Sequence, residues 1–304
     1  MATIYNRLLL AKTEITKGTD AVPVVGTDAV RVKSFKIKKN TTILERKVQK
    51  QTMGSLPHQI GKETVSIEIQ FEMRGQGAAG TAPEASPLYQ ASRLAETIVA
   101  STSVSYKPST AVASEKSCTI YAYDDGLLWK FVGAVGTLKI DSSIDGVVSA
   151  SGTFQSAYAV PTPVSDPAGA VYDSTQPLVM TSASVFNDGA VIKVGKFGLD
   201  IGNDVQNHYV TGENSFVVKD RNPTMTFSKD SVNTVAEWTA LTAGTDMSFS
   251  ATFGATPGNI LTITAPSARR KDVVLGERAE RILKDLTLGL YESTSDDQFT
   301  IAFT

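Results

Sequence analysis

Val32-Lys33-Ser34-Phe35-Lys36-Ile37-Lys38-Lys39-Asn40 has a counterpart far along the chain, Gly195-Lys196-Phe197-Gly198-Leu199-Asp200-Ile201-Gly202-Asn203. Each alternates apolar with polar residues, the period of a strand with one buried face, and each runs into a polar turn or arm. The elements that follow recur in the same order. A second strand pattern comes next, Thr64-Val65-Ser66-Ile67-Glu68-Ile69-Gln70-Phe71 in the first copy and Pro223-Thr224-Met225-Thr226-Phe227 in the second. One short amphipathic helix is expected after each, over Leu88 to Thr97 and Val232 to Leu241, and three more strand patterns close each copy. A repeat on this scale decides the architecture ahead of any single motif. It predicts a mainly β protein made of two tandem β-sandwich or barrel domains, each with one flanking helix and a long arm loop.

The boundaries follow from composition. Residues 1–160 form the expected first domain and 176–304 the second. Residues 161–175 lie between them, in a stretch that opens Val160-Pro161-Thr162-Pro163-Val164-Ser165-Asp166-Pro167. Its prolines are expected to keep it out of any ladder and to make a fairly stiff linker. A chain of 304 residues is near the size at which one core stops growing, and 41% hydrophobic with 20% charged residues is an ordinary globular composition.

Within the first copy, Val30 and Val32 share one parity and Phe35 and Ile37 the other, so a bulge is expected near Ser34. Residues 41–60 are polar with scattered apolar residues and are too long for a tight turn, which predicts an extended arm that orders on a partner. Glu63 to Met73 is the cleanest half-buried strand, with Glu68, Gln70 and Glu72 on its polar face. Gly75 to Glu84 reads as a flexible Gly/Ala loop, with Ser86 as cap and Pro87 as the first residue of the helix. Asp124-Asp125-Gly126 and Asn187-Asp188-Gly189 signal tight turns. In the second copy the arm, residues 202–215, is shorter, and a charged segment follows over 268–283.

The chemistry of the chain points away from catalysis. The two histidines, His58 and His208, lie in polar arms with no second ligand at metal spacing, so no metal or other cofactor is expected. The carboxylate pairs Asp124-Asp125 and Asp296-Asp297 fall in turns, where Asp is favoured for backbone hydrogen bonding. The single cysteine, Cys118, reads as a small buried residue, and Trp129 and Trp238 as core. Arg269-Arg270-Lys271 has the acidic neighbours Asp272, Glu277 and Glu280, which favours an inter-subunit salt-bridge surface or plain solvation over phosphate binding. A net charge of −2 gives no basic surplus for nucleic acid. No run is long and apolar enough to predict a transmembrane helix, and the first twelve residues do not read as a signal peptide; folding in a cytoplasm is expected.

The ordered set of elements resembles a known family. Arg7-Leu8-Leu9-Leu10-Ala11-Lys12-Thr13-Glu14 is similar to the start of major tail proteins of long-tailed bacteriophages. So are Ile60-Gly61-Lys62-Glu63-Thr64-Val65, Pro87-Leu88-Tyr89 opening a helix, Thr102-Ser103-Val104-Ser105-Tyr106-Lys107-Pro108-Ser109, and Ile120-Tyr121-Ala122-Tyr123-Asp124-Asp125-Gly126. The resemblance covers the first copy well and the second through the repeat. It implies a structural virion protein, the major tail tube subunit, whose rings stack into a hollow tail that delivers genomic DNA.

Rings in such families commonly hold six domains, so two tube domains per chain imply a trimer with pseudo-sixfold symmetry, or a hexamer if only one domain lines the tube. The implied partners are further copies of the chain, the tape measure, terminator and distal tail proteins at the tube ends, and DNA that passes without specific binding; no membrane is implied. The arm residues Ile43, Leu44, Glu45, Arg46, Val48, Met53 and Leu56 would contact an adjacent ring, and Glu68, Gln70 and Glu72 are the candidates for the lumen. Other ring-forming tail components (a terminator, a baseplate ring or a contractile-tail tube) and a two-domain β-sandwich binding module are the alternatives.

Overall fold

The segment that alternates most cleanly, Val65 to Phe71, is extended. The computed structural model describes residues 7–112, 115–180, 184–230, 235–278 and 281–304. Its first part contains β1 (Arg7–Thr13), β2 (Val32–Leu44), β3 (Gln59–Glu72), α1 (Ser86–Ala91), β4 (Leu94–Val99), β5 (Ser103–Pro108), β6 (Cys118–Asp124), β7 (Leu127–Ser143), β8 (Ser149–Ala157) and β9 (Thr162–Pro163). The second contains β10 (Ser184–Asn187), β11 (Ala190–Ile192), β12 (Val194–Asp200), β13 (Asn203–Val210), β14 (Glu213–Arg221), β15 (Thr224–Asp230), α2 (Ala236–Ala243), β16 (Met247–Thr256), β17 (Asn259–Arg278), β18 (Arg281–Tyr291) and β19 (Thr300–Phe303). The expectation of a mainly β protein with two short helices holds among the described residues.

Long strands join two sheets. The first half of β7 pairs with β6, which pairs with β1, and the outer edge of β7 takes β9. The second half of β7 turns into a larger antiparallel sheet in the order β2-β3-β8-β7-β12-β15-β18-β17. Leu9, Ile120, Ala122 and Phe131 from the first sheet and Ile67, Phe71, Leu138 and Phe154 from the second belong to one buried cluster. Removing such side chains from water supplies the dominant folding drive, about 2 kcal/mol for each large apolar residue. The outer face of the small sheet is apolar too. Leu8, Leu10, Tyr121, Tyr123 and Leu128 form a second cluster there, covered by Val25, Ala170 and Tyr172.

The pairing scheme of the first part recurs in the second. The ladders β1–β6, β6–β7 and β7–β9 have counterparts in β10–β16, β16–β17 and β17–β19. The ladders β2–β3, β3–β8 and β7–β8 have counterparts in β12–β15, β15–β18 and β17–β18. Even the irregularities match. The β2–β3 register shifts between Val32 and Ser34, where the alternation slips, and the β12–β15 register shifts between Val194 and Lys196. A second shared irregularity sets Cys118 and Ile120 against Ala134 and Phe131, and Met247 and Phe249 against Ala268 and Ala265. The two parts touch closely: β12 continues the sheet beyond β7, β19 pairs with β5, and one core cluster runs through both.

Several expectations need correction. The helix expected over Leu88 to Thr97 stops at Ala91; Arg93 adopts φ 59° and Leu94–Val99 is a strand paired with β5. Six apolar-rich residues satisfy either period, and pairing with β5 decided for strand. Ser86 is the first helical residue rather than the cap, and its hydroxyl donates to Glu96. In the second copy the helix begins at Ala236, and residues 231–234 lie outside the described residues.

The expected shorter arm is the hairpin β13–β14, and the charged segment is part of the 20-residue strand β17. The proline-rich stretch does join a ladder, because Thr162 and Pro163 sit on an edge of β7 where Pro163 has no donor to supply. The Gly/Ala loop is held rather than loose: Gly75 N–H donates to Asn259 Oδ1 (2.8 Å) and Gly77 N–H to the Gly258 carbonyl (3.1 Å). A Cβ on Gly75 would lie 2.1 Å from that carbonyl oxygen, so only glycine permits the approach.

Candidate assembly surfaces

Cross-strand register sorts the eight-stranded sheet into two faces. On one, Phe71, Ala150, Ile140, Leu199, Met225 and Leu288 stand in a row and are all buried. On the other, Glu72, Ser149, Asp141, Gly198, Thr226, Thr287 and Asp272 form a polar row across seven strands. A parallel row carries Ser34, Gln70, Ser151, Lys139, Asp200 and Thr224, and a third joins Lys36, Glu68, Thr153 and Thr137. Glu68, Gln70 and Glu72 therefore all belong to this polar face. Glu68 and Gln70 are exposed, whereas Glu72 is half-buried and bonded to Arg74 (2.8 Å).

Acidic groups outnumber basic ones in these rows: Glu68, Glu72, Asp141, Asp200 and Asp272 against Lys36 and Lys139. Lys139 pairs with Asp200 at 2.7 Å, and that hydrogen bond and charge raise the lysine above its usual value. Burial pushes the neighbouring Asp141 carboxyl up, against the opposing pull of Lys139. Small Ser and Thr side chains separate these groups, so the face presents hydroxyls and an acidic excess rather than a basic track.

The long arm projects from this sheet. Its base is a ladder, Ile43 opposite Ile60 and Leu44 opposite Gln59, so Ile43 and Leu44 belong to β2 and the irregular span is 45–58. Ile43, Leu44, Val48 and Met53 are all more than half exposed, Glu45 and Arg46 are exposed, and Leu56 is half-buried. The equivalent connection in the second part, β13–β14, is instead packed back onto β7 and β8. Phe216 and Val218 are buried there, and Asn203 Nδ2 donates to the carbonyls of Ser92 (2.7 Å) and Gly136 (3.0 Å).

The remaining residues singled out by type have local roles. Asp124 accepts from Arg7 (2.8 Å), and Asp296 accepts from the Thr110 N–H and hydroxyl. Arg269 pairs with Asp246, and Arg270 with Glu237, so this basic cluster is absorbed within the chain. His58 is exposed in the arm, and His208 sits on β13 beside Glu213 (3.9 Å). Cys118 is fully buried, which pushes its thiol pKa up, and the Glu14 charge adds to the effect. Trp129 packs against the core, but Trp238 is 36% exposed, with the Lys284 ammonium 4.6 Å from its ring.

Among the described residues no further strand pairs with either end of the eight-stranded sheet, and the Phe35 carbonyl of β2 accepts from Arg7 Nη1 (3.4 Å). β2 pairs on one side with β3, and residues 269–278 of β17 pair on one side with β18. Val274 and Leu275 on that edge are at least half exposed. The sequence reading passed over this edge; the apolar triplet Val273-Val274-Leu275 inside the charged segment was the available signal.

A profile of the family described as phage tail tube protein matches residues 6–289. The chain belongs to that family. A search of the curated proteins matched none. This tail tube protein is a structural component of the phage tail. Among the described residues no group of three or more His, Cys, Asp or Glu is placed to hold a metal ion, and no helix is long and apolar enough to cross a membrane.

Proposed function

We propose that this tail tube protein forms rings of three chains, each chain contributing two tube units, residues 1–160 and 176–304, and that the rings stack into the hollow tail through which DNA leaves. The observation that carries this reading is the eight-stranded sheet with one polar face, one buried face and two unpaired edges. Closing a ring removes both edges, which would otherwise invite uncontrolled pairing. The matched ladders of the two halves favour pseudo-sixfold symmetry, because each half offers the same surfaces to its neighbours. At about 4.8 Å per strand, three chains give a circumference of roughly 115 Å and a backbone-to-backbone diameter of about 37 Å, which strand tilt widens further. Side chains of Ser and Thr size leave such a channel open to a DNA duplex.

In this reading the polar face, with Glu68, Gln70 and Glu72, lines the lumen. Its acidic excess offers few cations to displace counterions from phosphate, so DNA slides without being held. The arm residues Ile43, Leu44, Glu45, Arg46, Val48, Met53 and Leu56 order against a neighbouring ring. Tape measure, terminator and distal tail proteins occupy the tube and its ends, and assembly takes place in the host cytoplasm. Negative-stain electron microscopy of the concentrated protein tests the proposal. Stacked rings with threefold averages and a central hole are expected. Single rings that never stack would assign a terminator-like role, and persistent monomers would overturn the ring reading.

A further inference from the structure

We infer that the free edge of β17 receives β2 of a second copy of this chain, in the register by which β7 receives β12 within the chain. This deepens the ring reading and rests on it. Inside the chain, Ser143, Ser142, Asp141, Ile140 and Lys139 stand opposite Lys196, Phe197, Gly198, Leu199 and Asp200. The matched ladders translate each position. Leu138 and Val273 are equivalent because they face Gly152 and Leu286, which in turn face Ile69 and Phe227. Phe35 and Phe197 are equivalent because they face that same pair. The five template pairs therefore become residues 278 to 274 of β17 opposite residues 34 to 38 of the neighbouring β2.

Three features of the two edges fit this register. In the template, Ile140 and Leu199 meet at the junction and each is 1% exposed; their counterparts are Leu275, left 57% exposed in the single chain, and Ile37, half-buried. The junction thus buries the apolar residue that the edge leaves in water. Second, the template sets a charged residue against a glycine, Asp141 against Gly198, where a Cβ would come within 3.2 Å of the carboxylate. The same pairing recurs with the roles exchanged, Gly276 opposite Lys36. Third, a Cβ on Gly276 would lie 2.9 Å from Asp285 Oδ2. The lysine crossing this glycine is therefore led onto an exposed carboxylate, and Lys36 makes no ion pair among the described residues. The surface recognised is a strand edge, its partner is this chain itself, and the contact is heterologous, so it closes a ring when the rotation closes.

Paired cysteines test the register. Val274→Cys with Lys38→Cys places two exposed positions opposite each other, while the native Cys118 is fully buried. Under mild oxidation of the concentrated protein, this pair is expected to form covalent oligomers at least ten times more efficiently than Val274→Cys with Ser34→Cys, which stands four residues, or about 13 Å, off register. The covalent ladder stops at the number of chains in the ring. Charge exchange gives an independent readout. Lys36→Glu and Asp285→Lys alone should each raise the concentration needed for ring formation at least tenfold, and the double variant should recover most of it. Rings seen by microscopy with no cross-link, or with the off-register pair linking equally well, would overturn this junction and leave the ring reading standing. The absence of any rings together with the absence of cross-links would remove both.

Discussion

Glu14 is 2% exposed, yet it carries its carboxylate into the protein because every lone pair is used. It accepts from the Gly18 and Gly133 N–H groups (2.7 Å each), from Thr119 Oγ1 (2.7 Å) and from Ser117 Oγ (2.6 Å). One side chain thereby ties the chain after β1 to β6 and β7. Glu14→Ala would leave four donors without an acceptor, and unsatisfied buried donors cost roughly 1–3 kcal/mol each before relaxation. The expected loss is about 3 kcal/mol or more, read from the urea midpoint at constant m-value. Glu14→Gln, which retains one acceptor oxygen, should fall between that variant and the wild type.

At the scale of an element, α2 is fixed to the sheet by a buried charge cluster. Glu237, 7% exposed, meets Arg270 at 2.5 Å and also bonds Lys229. Burial acts to raise its pKa, but the two cations overcome burial and hold the carboxyl below its ordinary value. Its unfolded form takes up a proton near the ordinary value of about 4.3. The stabilisation is therefore complete above that pH and is lost as pH falls through the lower folded-state value. Glu237→Gln should cost about 3 kcal/mol at pH 7, the penalty for leaving buried cations without their partner, and much less at the acid end. Urea titrations of both proteins across pH 3–7 measure the convergence. The arm behaves oppositely. Replacing residues 46–57 by a short Gly/Ser linker removes exposed side chains and one half-buried leucine, Leu56, so the unfolding free energy of the single chain should change by no more than about 0.5 kcal/mol. If the arm carries assembly, sedimentation should show that this variant no longer forms stacked rings.

For the whole molecule, the polar face makes a prediction about DNA. If it lines the lumen, Glu68→Lys with Gln70→Lys adds two lysines to the first unit of every chain around the channel without touching the core. Tubes should still form. They should retain duplex DNA at low salt and release it as salt rises, because phosphate binding by lysine is driven by counterion release. Filter retention at rising salt concentration measures this, with wild-type tubes expected to retain little DNA throughout. Equal retention by both proteins would remove these residues from the lumen.

Alternation alone placed the paired strands, from Phe35 and Ile37 to Val65, Ile67 and Ile69, because a half-buried strand must repeat every second residue. The same local physics marked the Asp125-Gly126 and Asp188-Gly189 turns, whose residues all take positive φ. The slip near Ser34 and the exposed apolar residues of the arm were also legible, each being a break in a local pattern. What the tertiary structure decided is which distant edges meet. Leu94–Val99 became a strand because β5 lay beside it. Residues 203–221 formed a hairpin because β7 and β8 offered a surface to pack on. Two strands far apart in sequence meet through backbone N–H and C=O groups that every residue possesses, so the β7–β12 and β5–β19 ladders left no mark in residue type. Strand faces are written in side chains, while strand neighbours are settled by the backbone once the core has closed.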